Sequence, residues 1–74
     1  MKKLKRIKVF ILNEIYKDSH KFYRLSLNGV KRLEVKATDI GLDRFIDDCC
    51  EFISHIEDEN TECTILNRIK WYTV

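Results

Sequence analysis

Apolar and polar residues alternate with a period of two through most of the chain, and one segment has a helical period instead. Residues 4–16, LKRIKVFILNEIY, are rich in β-branched and aromatic residues, which favours a β-strand. Apolar residues occupy both alternating positions of this run. That pattern is typical of a strand in the middle of a sheet or covered on both faces.

Two further strands are predicted at residues 21–27 and 30–37, after a turn at KDSH (17–20). They flank Asn28-Gly29, and an Asn-Gly pair between two alternating runs is a strong signal for a β-hairpin. The register of this hairpin decides which side chains share a face, because a slip of one residue moves each of them to the opposite face.

The hydrophobic pattern favours a three-residue loop, residues 27–29, in this hairpin. A two-residue loop would place Leu25 opposite Arg32, whereas the longer loop places Arg24 opposite Arg32. The residues that the longer loop brings together on one face are Tyr23, Leu25, Leu33 and Val35. Two opposed arginines are destabilising, and we interpret the pair as a sign of a bound anion or an acidic partner.

A helix is predicted at about residues 40–58, with Asp39 as its N-cap and Thr38 as the alternative. Asn60 suits the C-terminal cap. Spacings of three and four residues give the helix one apolar stripe. The stripe consists of Leu42, Phe45, Ile46, Cys49, Ile53 and Ile56.

The final run, residues 61–74, alternates well enough for a fourth strand, although its pairing stays open. The order β-β-β-α-β in a chain of 74 residues predicts a single α+β domain, residues 1–74. We expect a four-stranded, mainly antiparallel sheet with one amphipathic helix packed on one face.

One helix covers only one face of such a sheet. The face expected beneath the helix carries Ile7, Val9, Ile11, Tyr23, Leu25, Leu33, Val35, Ile65, Ile69 and Trp71. The face expected to stay open carries Lys8, Phe10, Leu12, Tyr16, Phe22, Arg24, Arg32, Leu66, Arg68 and Tyr72. Exposed apolar patches mark interaction surfaces, and aromatic residues beside arginines form binding hot spots or platforms for single-stranded nucleic acid.

The predicted sheet-face site consists of Lys8, Phe10, Phe22, Arg24, Arg32, Arg68 and Tyr72. We expect the partner to be another protein or a second copy of the chain in a homodimer. Single-stranded nucleic acid is the second choice, and a packed interface between two protomers is the simpler interpretation of the same pattern.

Charge is divided unevenly along the chain. Residues 1–38 carry 11 Lys and Arg against three acidic residues, and residues 39–74 carry three against nine. Asp43, Asp47 and Glu51 form an acidic line on the helix. This line is either a solvated face or a mimic of a phosphate backbone that binds a partner. The least favoured interpretation is a divalent metal bound across Asp43 and Asp47.

The sequence contains none of the common motifs of catalytic or cofactor-binding sites. The sequence has no glycine-rich phosphate loop and no zinc-protease or nucleophile-elbow motif, so we expect neither an enzyme nor a cofactor.

Adjacent Cys49 and Cys50 point about 100° apart on a helix and cannot easily bind one zinc ion. Three cysteines do not make a disulfide framework, which favours the cytoplasm, and no apolar run has the length of a membrane span.

These features favour a small, non-catalytic protein that binds a macromolecule. Chains of this size and composition are frequent among phage and plasmid accessory proteins, many of which inhibit host enzymes or defence complexes. We therefore expect a protein-protein interaction module or inhibitor that acts by steric occlusion or nucleic-acid mimicry. The alternatives are a single-stranded nucleic-acid-binding protein and a homodimeric, antitoxin-like module.

Overall fold

The structure, a computed structural model, describes residues 6–69. Its elements are β1 (Arg6–Lys17), β2 (His20–Leu27), β3 (Val30–Lys36), α1 (Leu42–Ile56) and β4 (Thr61–Asn67). The predicted order β-β-β-α-β and the α+β class are confirmed. The strands form one sheet in the order β3-β2-β1-β4.

Strand β1 lies inside the sheet, as its apolar residues at both alternating positions predict. It pairs antiparallel with β2 and parallel with β4. Because β3 and β4 occupy opposite edges, the connection through α1 crosses the whole sheet. The sheet is therefore mixed, with two antiparallel pairings and one parallel pairing.

Both hairpins turn through two residues. Asp18 and Ser19 connect β1 to β2 with φ of 53° and 64°, and Asn28 and Gly29 connect β2 to β3 with φ of 53° and 80°. Positive φ at both central residues defines the type I′ turn, whose twist matches that of the flanking strands. The first turn achieves this geometry without a glycine.

The predicted three-residue loop in the second hairpin is wrong, because Leu27 pairs with Val30 across a two-residue turn. A β-bulge between Leu25 and Ser26 then shifts the register, so that Leu25 pairs with Leu33. The extra residue of a bulge restores the apolar pattern after a tight turn. Arg24 consequently lies opposite Glu34, and the predicted pair of opposed arginines does not form.

Helix α1 covers one face of the sheet, and the core lies between the two. The buried apolar residues are Phe10, Leu12, Tyr23, Leu25, Leu42, Phe45, Cys49, Ile53 and Ile69. The rings of Tyr23 and Phe45 stack across this interface, with their centroids 6.1 Å apart. The predicted core positions Tyr23, Leu25 and Ile69 and the predicted helix stripe are confirmed, although Ile56 of the stripe is 39% exposed.

Both predicted helix caps are wrong. Gly41 is the N-cap, with no side-chain hydrogen bond, and the backbone N–H of Asp39 donates instead to the carbonyl of Lys36. At the other end the C-cap is Glu57. The N–H of Asn60 donates to the Asp58 carboxylate at 3.0 Å, which makes it part of the turn that leads into β4.

Candidate protein-binding surface

The side chains of β1 that face α1 are not the predicted ones but those at the alternate positions. Phe10 and Leu12 are fully buried in the core, while Ile7 and Val9 are 70% and 46% exposed. The two-residue turn after β1 places Leu12 opposite Leu25, which lies beneath the helix. The prediction that Phe10 and Leu12 lie on the open face is therefore wrong. So is the prediction that Ile7, Val9 and Ile11 lie beneath the helix.

The face of the sheet away from α1, here called the open face, carries an apolar stripe along β1 and β4. We define this apolar stripe as Ile7, Val9 and Ile11 of β1 together with Leu66 of β4. Ile11 and Leu66 are direct neighbours across the two strands. Leu66 is 42% exposed and Ile11 is half-buried. The stripe is a continuous apolar surface that no described residue covers.

The other half of the open face is charged, and its charges are paired with one another. Lys17 Nζ donates to Glu34 Oε2 at 2.8 Å, and Arg24 Nε and Nη2 each lie 2.8 Å from Oε1 of the same carboxylate. The pKa of Glu34 is lowered, and the hydrogen bond from Lys17 is the main cause. Burial acts in the opposite direction, and the hydrogen bond from Arg24 lowers the pKa further. We call Lys17, Arg24 and Glu34 the charged network.

Phe22 lies on the open face, as predicted, but its ring is not a free platform. Its parity is opposite to that of buried Tyr23, and the Lys17 ammonium lies 5.0 Å from its ring centroid. Both predicted open-face residues of β2, Phe22 and Arg24, therefore engage neighbours within the sheet.

Two predicted sheet-face residues reach the helix side instead. Lys8 shares the parity of buried Phe10, and its ammonium donates to both carboxylate oxygens of Glu57 at 2.9 and 2.8 Å. The guanidinium of Arg32, at the bulge of β3, lies 5.7 Å from the ring centroid of Phe52 on α1. The prediction that Lys8 and Arg32 lie on the open face is wrong, because the parity of β1 and the bulge in β3 place both on the helix side.

The last two predicted sheet-face residues follow β4. Arg68 is exposed, and its backbone N–H donates to the carbonyl of Leu12 at 2.9 Å. Tyr72 and the predicted core residue Trp71 lie outside the described residues. Tyr16, also expected on the open face, has the parity of Phe10; the hydrogen bond from its hydroxyl to Glu14 raises the pKa of Tyr16.

The acidic line of α1 is exposed along its whole length, at Asp43, Asp47 and Glu51. The carboxylate of Glu51 lies 3.9 Å from the His55 imidazole. Within residues 6–69, no three His, Cys, Asp or Glu side chains are close enough together to hold a metal ion.

The three cysteines have different surroundings. Cys49 is buried in the core, and burial raises the pKa of its thiol to about 12. Cys50 is exposed and Cys63 is half-buried, with burial as the main cause of the raised pKa of Cys63. Over the described part of the chain, no helix is long and apolar enough to cross a membrane.

No known family model matches this chain, and comparisons with curated proteins and with solved structures give no match either.

Ile7, Val9 and Ile11 are surface residues that the hydrophobic pattern does not reveal, because both parities of β1 are apolar. The signal that could have found them lies in the turn at KDSH. A two-residue turn there makes Lys17 face His20 and therefore Leu12 face Leu25. Turn geometry would have fixed the parity that the apolar pattern leaves open.

Proposed function

We propose that this protein is a non-catalytic protein-binding module whose contact surface is the apolar stripe. The exposure of Ile7, Val9 and Leu66 on one face of the sheet carries the proposal, because soluble monomers rarely leave a contiguous apolar patch uncovered unless it binds something. The stripe lies on regular strands, which hold the side chains in a fixed arrangement suited to a rigid partner surface.

The pairing of charges on the same face favours a protein over a nucleic acid as the partner. A site for single-stranded nucleic acid combines free basic groups with open aromatic rings. Here Arg24 and Lys17 bind Glu34, and the Lys17 ammonium also lies over the Phe22 ring. A protein surface with an apolar centre and a polar rim complements this arrangement better.

The proposed mechanism is steric occlusion. A chain of 74 residues that binds through one face covers a site on its target without any chemistry of its own. The three free thiols suit a reducing compartment, so we place this activity in the cytoplasm. An inhibitor encoded by a phage or another mobile element fits this description, and its target would be a host enzyme or defence complex.

The test compares the captured partners of three immobilised proteins from a lysate of the source cell. The stripe variant is Ile7→Thr/Val9→Thr/Leu66→Thr, which removes apolar area but keeps residues that favour strands. We expect the wild type to retain one partner in a stoichiometric amount. The stripe variant should retain at least about tenfold less, since each substituted side chain contributes roughly 1 kcal/mol of apolar burial.

The matched control is the helix variant Asp43→Lys/Asp47→Lys/Glu51→Lys, which changes the acidic line and leaves the open face intact. We expect it to capture the partner normally. Loss of capture in the helix variant and not in the stripe variant would contradict the proposal and support phosphate mimicry by α1.

Two other molecules could bind the open face, a second copy of the chain and a nucleic acid. Light scattering during size-exclusion chromatography, with absorbance at 260 and 280 nm, tests both. We expect a monomer free of nucleic acid. A dimer that the stripe substitutions dissociate would show that the stripe binds a second copy. Nucleic acid that copurifies and is released by salt would favour the nucleic-acid alternative.

A further inference from the structure

The apolar stripe lies on the parallel half of the sheet. All four of its residues belong to β1 and β4, which form the parallel pair. On the same face, β2 and β3 carry Arg24 and Glu34 of the charged network. Parallel strands are normally covered on both faces, whereas antiparallel strands often leave one face to water. The stripe is therefore the part of the open face where a second covering layer is expected.

The usual cover of parallel strands is a helix that runs antiparallel to them. Helix α1 has this direction on the other face, because it returns from the end of β3 to the start of β4, and these two strands point the same way. Its own apolar residues are buried against the core, so α1 leaves the open face uncovered. Residues 6–69 contain no second helix for that face.

Two charges of opposite sign lie beside the stripe along β4. Glu62 is exposed and is the direct neighbour of Ile7 across the two strands, on the same face as Leu66. Arg68 follows Leu66 by two residues, and its N–H continues the pairing with β1 by donating to the Leu12 carbonyl at 2.9 Å. Its exposed side chain therefore projects to the open face as well. Within residues 6–69, neither Glu62 nor Arg68 has an ion-pair partner within 4.0 Å.

The order of these two charges complements that of a stable helix. Acidic side chains stabilise the first turn of a helix and basic side chains the last turn, because of the helix dipole. Helix α1 follows this rule, with Asp43 in its first turn and His55 in its last. A helix that ran antiparallel to β4 along the stripe would place its first turn near Arg68 and its last turn near Glu62. Each of its ends would then meet a charge of the opposite sign.

The length of the stripe suits a helix of about four turns. Glu62 and Arg68 are separated by six positions of the sequence, which correspond to about 20 Å along a strand. A helix spans about 20 Å with about 13 residues. Apolar residues at spacings of three and four on that helix form one stripe, which would lie along β1.

We propose that the apolar stripe binds an amphipathic helix of a partner protein, which runs antiparallel to β4 with acidic residues in its first turn near Arg68 and basic residues in its last turn near Glu62. The bound helix adds a third layer, so that the sheet lies between α1 and the partner helix. This inference rests on the proposed function, because it names the kind of partner that the stripe binds. The two opposite charges favour such a helix over a nucleic acid, whose backbone offers only negative charge.

The test uses a designed peptide of about 18 residues, or about five helical turns, titrated against the full chain. The peptide has Glu in its first turn, Lys in its last turn and Leu at spacings of three and four, and it carries fluorescein for fluorescence anisotropy. We expect saturable binding. The control is a peptide of the same composition with its Leu residues spread around the helix, which should bind at least about tenfold more weakly. Equal binding of the two peptides would overturn the proposal.

Protein variants locate the bound helix. The stripe variant Ile7→Thr/Val9→Thr/Leu66→Thr should bind the peptide at least about tenfold more weakly. Glu62→Lys and Arg68→Glu should each weaken binding by about threefold to tenfold, because each places a like charge beside one end of the helix.

Asp39→Lys is the matched control for Glu62→Lys, since it makes the same change of charge at an exposed position in the loop before α1. We expect it to bind the peptide as the wild type does. Equal losses in Glu62→Lys and Asp39→Lys, or normal binding by the stripe variant, would contradict the proposal.

A nitroxide spin label at the N-terminus of the peptide reports the direction of the helix. We expect it to broaden the amide NMR signals around Leu66 and Arg68 and to leave those around Glu62 sharp. Broadening centred on Glu62, or on the amides of α1, would overturn the proposed arrangement.

Failure of the peptide to bind at millimolar concentration would overturn the helix as the partner. The proposed function would still stand in that case if the stripe substitutions abolish the capture of a protein from the lysate. Capture that the stripe substitutions leave unchanged would overturn the proposed function itself. A dimer that the stripe substitutions dissociate, or a nucleic acid that salt releases, would assign the open face to another occupant and also overturn the helix.

Discussion

The two faces of the sheet use apolar side chains from the same strand in different ways. Beneath α1, Phe10 and Leu12 of β1 are fully buried. On the open face, their sequence neighbours Ile7 and Val9 are 70% and 46% exposed. Successive residues of a strand point to opposite faces, so the half of β1 that faces α1 forms the core. The other half forms the apolar stripe of the open face.

The polar residues differ between the faces as well. On the open face, Glu34 holds Lys17 and Arg24 in one network within the sheet. On the helix side, Lys8 of the sheet pairs with Glu57 at the end of α1 and so connects two elements. The charged network of the open face therefore needs no helix, whereas the Lys8–Glu57 pair on the helix side depends on α1.

The largest expected effect comes from a matched pair of substitutions on the two faces of β1. Leu12→Ala should lower the free energy of unfolding by about 2–5 kcal/mol, because it opens a cavity in the core. Ile7→Thr should change that free energy by less than about 0.5 kcal/mol, because Ile7 is mostly exposed and Thr suits a strand. Urea denaturation followed by circular dichroism measures both.

Leu12→Val is the milder test if the alanine variant does not fold, with an expected cost of about 1 kcal/mol. Similar costs for Leu12→Val and Ile7→Thr would show that α1 does not distinguish the two faces of β1, and the apolar stripe would then belong to a second core.

The sequence predicted the central position of β1 but not its orientation. Both parities of β1 are apolar, so hydrophobicity gives almost no preference between Ile7 and Val9 on one side and Phe10 and Leu12 on the other. The orientation follows from the turn at Asp18 and Ser19, whose positive φ values are unusual for residues other than glycine. The alternation of apolar and polar residues carries no information about such a conformation.

A smaller effect is expected from Glu34, the centre of the charged network. Glu34→Gln should lower the free energy of unfolding at pH 7 by about 1–2 kcal/mol, because two charged hydrogen bonds lose their acceptor charge. The pKa of Glu34 is lowered in the folded chain from its usual 4.5. Its stabilising contribution is therefore complete above about pH 4.5 and is lost as the pH falls through the lowered pKa.

Denaturation of the wild type and Glu34→Gln at pH 7 and at pH 3 tests this contribution. The difference between the two proteins should shrink at the lower pH. The control is Asp39→Asn, an exposed carboxylate outside the network, whose effect should be near zero at both pH values. A Glu34→Gln cost that persists at low pH would mean that shape, and not charge, holds the network together.

The core-facing side of α1 was predicted more accurately than the open face of the sheet, and the reason is physical. The stripe of α1 repeats at helical spacing over four turns, so its core side is specified many times. Arg32 depends on one local event, the bulge beside Leu25 and Ser26, which no periodicity announces. Residues at turns and bulges are therefore the ones that the sequence pattern places least accurately.

The smallest expected effect concerns the turn that orients β1. Ser19 has a φ of 64°, where a side chain costs energy that glycine avoids. Ser19→Gly should therefore raise the free energy of unfolding by about 0.5 kcal/mol, the relief of strain exceeding the extra entropy of glycine in the unfolded chain. Gly29→Ala is the matched control in the second turn. It should lower stability by about 0.5–1 kcal/mol through φ alone, because a Cβ there meets no atom within 4 Å.

Opposite signs for the two substitutions would support two type I′ turns. A Ser19→Gly variant less stable than the wild type would remove the basis for placing Leu12 opposite Leu25, and with it the division of β1 into a core half and an exposed half.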